Sequence, residues 1–327
     1  MKNWRKHILS FCLAAACTFA GAFTAHAQTD AMFTQFWAAQ GYYNPASIAL
    51  TDYVHITGGG RLQWVGIQRA PMSFVALADM PVKIGTKRLG LGASVSWESL
   101  GLYRNLNAGL QAAYRFKLLG GTLGFGVQLG LMNETFKGSE IYIPSDEEHE
   151  GNDDAIPQTD VSGNAFDVGA GIYYNHKYFW VSISATHLTE PRVSLRQQSS
   201  EQDQYQIKAP RMYYFMAGGN IPIKNTLFEI MPSVFFRTDL KDFTASASLR
   251  ARWRKLVSLG AAYRWKESVA LTAGVDIKNF FIGYSYEYPL TPIVKASSGS
   301  HELFVSYNLK LNLQDKNKNK HKSIRIL

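Results

Sequence analysis

The residues to test first for chemistry are six of the eight histidines, those beyond residue 27: His55, His149, His176, His187, His301 and His321. A hydrolytic site needs one of them as general base, beside a nucleophile and an orienting acid. No HExxH or GxSxG occurs, and no two histidines stand one residue apart. His187 in ATHLTEPR and His301 in GSHEL read as rim or lumen residues. A second candidate is a run of carboxylates: Asp146, Glu147, Glu148, Glu150, Asp153, Asp154 and Asp160. Oxygen ligands at that density suit calcium, but the spacing is not that of an EF-hand, and 138–163 reads as a solvated loop. No catalytic, cofactor or metal set emerges, and a non-enzymatic protein is expected.

Two further groups suit binding better than catalysis. Residues 28–50 hold Phe33, Gln35, Phe36, Trp37, Tyr42 and Tyr43, followed by an Asn44-Pro45 turn. This stretch has no strand period, and its rings need something to bury against. A barrel lumen, a periplasmic rim and a partner protein are the options. At the other end, 314–327 sets Lys316, Lys318, Lys320, Lys322 and Arg325 against the single acid Asp315. Such a tail is expected to be disordered alone, either solvated or serving as a docking arm.

The first residues read as a secretory signal: Lys2, Arg5 and Lys6, an apolar run, then Ala25-His26-Ala27 before Gln28. Cleavage between Ala27 and Gln28 is expected, although Cys17 leaves a lipoprotein ending open. Removing 27 of the 327 residues leaves 300, takes both cysteines, and lowers the formal charge from +9 to +6 (9 − 3). Disulfides and thiolate metal sites are then excluded. Nucleic acid is not an expected partner of an exported chain.

The elements that must position these groups show in the alternation of apolar and polar residues. In 302–313 the residues Leu303, Val305, Tyr307, Leu309, Leu311 and Leu313 share one parity, and the other is polar except for Phe304. Successive side chains of a strand point to opposite faces, so this is a strand with one greasy and one wet face. Clean alternation recurs at 89–97, 105–116, 122–131, 243–253 and 257–265. It blurs at 72–80, at 178–188 around Trp180, and at 212–221. Pro232 interrupts 228–237, where a bulge or a gap in pairing is expected.

Counted through, fourteen such stretches lie between 51 and 313. An even number keeps both ends on one side of a membrane, and the three longest connections, 138–163, 189–210 and 289–298, all follow odd strands. No apolar run after Gln28 nears the length of a membrane helix. The expected fold is all-β: a single transmembrane antiparallel barrel of the outer-membrane type with about 14 strands. Fourteen strands enclose more than side chains alone fill, so the lumen holds water, a plug or a guest. The stretch 28–50 is the natural plug or periplasmic segment.

The stretches QFWAAQGYYNPASIAL, RLQWVGIQRAP, RLGLGASV, FDVGAGIYY, VSISATHL, IGYSYEYPL and SSGSHELFVSYNL, taken in order, carry a family likeness. The chain resembles the PorP/SprF family, outer-membrane proteins of the type IX secretion system of Bacteroidetes. The resemblance implies a component of the protein secretion machinery other than its main pore. It also implies contacts with periplasmic ring proteins of PorK and PorN type and with a PorE-type peptidoglycan-binding protein. Some relatives are thought to hold the C-terminal domain of a secreted protein. The basic tail departs from members that end soon after the last strand. A passive channel or transporter for hydrophobic or small solutes is the competing reading of the same barrel.

Overall fold

Alternating side chains give each strand a lipid face and a lumen face, and backbone groups in hydrocarbon must all be paired, so the sheet has to close. A computed structural model describes residues 30–84, 87–141, 157, 159–197 and 205–311. Seventeen strand segments are formed: β1 (Tyr53–Leu62), β2 (Met72–Ile84), β3 (Lys87–Leu100), β4 (Tyr103–Leu118), β5 (Gly121–Lys137), β6 (Asp160–Asn175), β7 (Phe179–Thr186), β8 (Arg192–Gln197), β9 (Tyr205–Lys208), β10 (Met212–Gly219), β11 (Ile221–Pro222), β12 (Phe228–Thr238), β13 (Phe243–Trp253), β14 (Val257–Arg264), β15 (Ser268–Ile277), β16 (Phe280–Pro289) and β17 (Ser300–Lys310). Neighbours run antiparallel, and the ring closes where β1 meets β17, from Tyr53↔Lys310 to Leu62↔His301. β8 and β9 form a side hairpin, and β10 with β11 is one interrupted strand. The barrel therefore has 17 − 2 − 1 = 14 strands, as the alternation predicts.

The turns after β2, β4, β6, β11, β13 and β15 are short and define one rim; the long connections define the other. In bacterial barrels the short turns are periplasmic. The outward parity is greasy throughout: Leu110 is 72 % exposed and Leu271 69 %, with Leu129, Leu131, Leu249 and Leu259 in the same band. On a soluble protein this belt would be an aggregation surface, and in the outer membrane it meets lipid.

Pro232 produces a gap and not a bulge. Gly218 pairs with Ser233 and Ile221 with Ile230 in one unbroken register, while Gly219 and Asn220 between them are unpaired towards β12 and keep their contacts to Phe179 and Tyr178 on the other flank. On the other side Pro232 still sits opposite Leu249. A residue with no N–H loses the ladder on one flank only.

Two features differ from the sequence reading. β2 runs to Ile84 and β3 starts at Lys87, so both strands extend beyond the stretches 72–80 and 89–97 in which the alternation is read. The connection 189–210 contains the β8–β9 hairpin, which folds over the extracellular ends of β5 and β6. Val193 and Leu195 there close a small second core with Met132, Val161 and Ala209.

Candidate functional site: the filled lumen

The strands with blurred alternation share one explanation. Val75 and Leu77 on β2, Met212, Tyr214 and Met216 on β10, Phe235 on β12 and Phe304 on β17 all point inward, and all are buried in one cluster. Their partners are Ala31, Met32, Phe33, Phe36, Ala39 and Tyr43. Residues 30–50 thus lie inside the barrel. Phe33 meets Phe304 edge-on at 5.2 Å, and Tyr43 meets Phe235 at 4.9 Å. Phe304, fully buried, lies over Gly59 of β1, where a Cβ would collide with its ring.

Near the extracellular rim the segment is held by a buried ionic network. Glu302 accepts the backbone N–H of Thr34 (2.8 Å) and of Gln35 (2.7 Å). Glu287 accepts the Thr34 hydroxyl at 2.7 Å, both terminal nitrogens of Arg61 at 3.0 Å each, and Arg264 at 2.9 Å. The four charged side chains come from β1, β14, β16 and β17, and all are less than a tenth exposed. Two arginines and two glutamates balance, which is what lets them stay ionised away from water. Gln35 also donates to the carbonyl of Gly283 at 3.3 Å.

A second anchor sits at Asp30. Its carboxylate accepts from His187 at 3.0 Å, from Tyr214, and weakly from Thr186 at 3.4 Å, while Arg237 donates to its carbonyl at 2.8 Å. The other ring nitrogen of His187 lies 3.0 Å from Asp167. Burial alone would raise the Asp30 carboxyl, but the His187 cation, the hydrogen bonds from His187 and Tyr214, and Arg237 outweigh it and hold the group at about 2. Burial alone would lower His187; Asp30 and Asp167 push it up to about 10. With a carboxylate on each nitrogen, the imidazole has no free lone pair for general-base work. The two acids lie on opposite sides of the ring, and among the described residues no three such groups converge as metal ligands.

This anchor gives a pH dependence with a defined sign. The raised His187 contributes stability that is complete below its ordinary value of 6.5 and is lost as pH climbs towards 10. The depressed Asp30 contributes stability that is complete above its ordinary 3.8 and is lost as pH falls towards 2. The segment is therefore expected to become more accessible to protease between pH 7 and 10 in the wild type. His187→Ala should flatten that profile; an unchanged profile would show that the anchor does not control accessibility.

Lower in the barrel, Arg250 lies over the Trp37 ring at 3.8 Å. A short helix, Gln40–Tyr43, and a 3-10 turn, Pro45–Ser47, follow. Asn44 links them. Its side-chain oxygen caps the turn by accepting from Ala46 N–H at 2.8 Å, with Pro45 at the first turn position. Its amide donates to Ser182 Oγ at 2.7 Å and to the Ile172 carbonyl at 3.0 Å. Gly126 and Gly171 are glycines for want of room, since a Cβ there would overlap the Pro45–Ala46 backbone and the Asn44 amide. At the periplasmic end Asp79 accepts the Ala49 N–H and Arg115 donates to the Ala49 carbonyl.

Of the residues singled out from sequence, Phe33, Gln35, Phe36, Tyr43, Asn44 and Pro45 are buried in the lumen, and Trp37 and Tyr42 are partly buried beside them. Ala27, Gln28, the basic positions Lys316, Lys318, Lys320, Lys322 and Arg325, and residues 142–156 lie outside the described residues. His301 faces outward and meets the Tyr284 hydroxyl at 2.7 Å. The ionic network of Arg61, Arg264, Glu287 and Glu302 was missed. Its signal was charge on the inward parity near the extracellular strand ends.

A sequence model of the family described as type IX secretion system membrane protein PorP/SprF matches residues 25–307. No curated protein matches the chain. Among solved structures, the outer membrane protein Omp33 of Acinetobacter baumannii is 8% identical, with a TM-score of 0.43 over 79% of this chain and 98% of its own. A FadL homologue of Pseudomonas aeruginosa is 10% identical, with a TM-score of 0.48 over 84% of this chain and 94% of its own. The translocator domain of the autotransporter NalP from Neisseria meningitidis is 12% identical, with a TM-score of 0.40 over 79% and 87%.

Proposed function

Because this chain belongs to the PorP/SprF family of type IX secretion system membrane proteins, we propose that it serves that machinery as a closed, non-enzymatic outer-membrane scaffold and not as a conduit. The observation that carries this reading is the lumen occupied by residues 30–50 and fastened from rim to rim. A polypeptide passing through would have to break the Glu302 and Glu287 contacts and expose paired charges. A passive solute channel meets the same obstacle.

A scaffold acts through its outer surfaces. The ring proteins of PorK and PorN type, a PorE-type peptidoglycan-binding protein and the C-terminal domain of a secreted protein are the partners the family suggests. The buried rings of Phe33, Phe36 and Tyr43 offer them nothing to hold. The basic stretch 314–327 does, since it leaves β17 at the periplasmic rim with five cations and one acid. Tagged full-length protein drawn from native outer membranes is expected to carry periplasmic ring proteins with it. Deleting 314–327 should reduce that capture about tenfold and steepen its loss with salt. Undiminished capture would remove the tail from docking, and solute flux with no captured partner would favour the channel.

A further inference from the structure

One cation of the lumen has no acceptor. Arg250 points inward from β13, in register with Met231 of β12 and Gly260 of β14, and it is 8 % exposed. Elsewhere in the lumen Arg61 and Arg264 share Glu287, Arg252 has Glu229, Arg237 has the Asp30 carbonyl and Arg115 the Ala49 carbonyl. Among the described residues Arg250 makes no hydrogen bond and no ion pair, and its Nε is buried. What it touches is a ring: the guanidinium carbon lies 3.8 Å from the centre of Trp37. The face of that ring attracts the charge, but it accepts nothing from the N–H groups along the guanidinium edge. The stem lies across Gly260, where an added Cβ would fall 2.5 Å from the Arg250 Cγ.

The polar atoms nearby are donors as well. Trp37 Nε1 is buried and has no acceptor. Ser248, the next inward residue of β13, and Ser233, opposite it on β12, have buried hydroxyls without a partner. The acids of this part of the wall do not answer the charge. Glu229 is taken by Arg252, and Asp276, on the inward parity of β15, makes no ion pair with Arg250 among the described residues. An arginine keeps its proton, and a buried charge without a partner costs far more than an unmatched neutral group. This patch of donors therefore calls for a negative guest. With Trp37 packed on the guanidinium face and Gly260 against the stem, only the edge is open, which suits a single-atom ion.

We infer that the guanidinium edge of Arg250 and the indole N–H of Trp37 bind a small inorganic anion of halide size, which ties the middle of the lumen segment to β13. Towards the extracellular rim Glu302 holds Thr34 and Gln35. Towards the periplasm Asn44 is fastened to β6 and β7. Trp37 stands between these anchors, and the anion supplies the polar link that its side chain lacks. The site does not depend on which partners the scaffold docks.

The test is urea unfolding of the full-length barrel in detergent at fixed ionic strength, with sodium gluconate replaced stepwise by sodium chloride. The midpoint should rise with chloride and level off, as for a ligand held by the folded state alone. R250Q should need about tenfold more chloride for the same rise. Heat-modifiable gel migration of the variant checks that its barrel is closed. Crystals of the parent grown in bromide should show an anomalous peak beside Arg250 and Trp37. The same chloride response in both proteins overturns the inference. A bromide peak with no chloride-dependent stability marks an adventitious ion only and overturns it too. So does a midpoint indifferent to chloride; equal destabilisation by D276N and R250Q would then name Asp276 as the counter-charge.

Discussion

Glu287→Ala is expected to lower the stability of the closed barrel by about 3–5 kcal/mol, the range for removing one partner of a buried charge network. Glu287 faces Arg61 through two hydrogen bonds and Arg264 through a third, and all three side chains are nearly dry. Truncation leaves two guanidinium groups in the lumen, Arg61 with Glu302 at 3.6 Å and Arg264 with only the partly exposed Glu267 at 3.7 Å. It also removes the acceptor of the Thr34 hydroxyl, so the upper part of the lumen segment loosens together with the wall. Urea unfolding in detergent micelles, followed by tryptophan fluorescence, gives the change in midpoint. The doubly substituted Glu287→Ala, Arg264→Ala should recover part of the loss, because one stranded cation has gone with its acid. A shift below about 1 kcal/mol would mean that water reaches this network and that it does not hold the segment.

The second large effect is steric. At Gly126 an added Cβ falls on the backbone of Pro45 and Ala46, which has no flexible end to swing aside. Gly126→Val is therefore expected to cost more than the roughly 1–3 kcal/mol of ordinary overpacking, or to drive 44–48 out of its seat. Gly58, on the same barrel but with nothing within 4 Å of its would-be Cβ, is the control. Gly58→Ala should stay within about 0.5 kcal/mol of the parent. Limited proteolysis distinguishes the two outcomes at Gly126: a displaced segment is cut, a strained but seated one is not. Equal behaviour of the two variants would contradict the seating of Asn44-Pro45 against β5.

Much of the wall was readable from residue types alone. Period-two alternation located the fourteen strands, the lengths of the connections separated the two rims, and the missing N–H of Pro232 marked the place of an interruption, read as a bulge or a gap, which is the gap opposite Gly219 and Asn220. What blurred the pattern was the content of the lumen. Val75, Leu77, Met216 and Phe235 looked like noise in the alternation because an apolar filling makes both faces of a strand greasy. Phe304 was the lone exception in the clearest strand, and it is the residue that packs on Phe33. The clamps were not legible for a different reason. Alternation tells which face a side chain takes but not which strand it meets across the barrel. Arg61 and Glu287 become neighbours only when β1 closes on β17, beside β16. Asn44-Pro45 read as a turn, which it is, but its amide contacts to Ser182 and Ile172 depend on where the segment comes to rest. The β8–β9 hairpin left a fainter trace, the Val193/Leu195 and Tyr205/Ile207 alternations inside what otherwise looked like loop.

The account stands on a lumen stopped by residues 30–50 of the same chain, and planar-bilayer recording tests that most directly. Full-length protein inserted at neutral pH should show no steady ionic conductance, whereas a variant lacking residues 30–48 should open a stable pore of fourteen-strand dimensions. Steady conductance by the intact chain, or a deletion variant that folds and still passes no current, would contradict it.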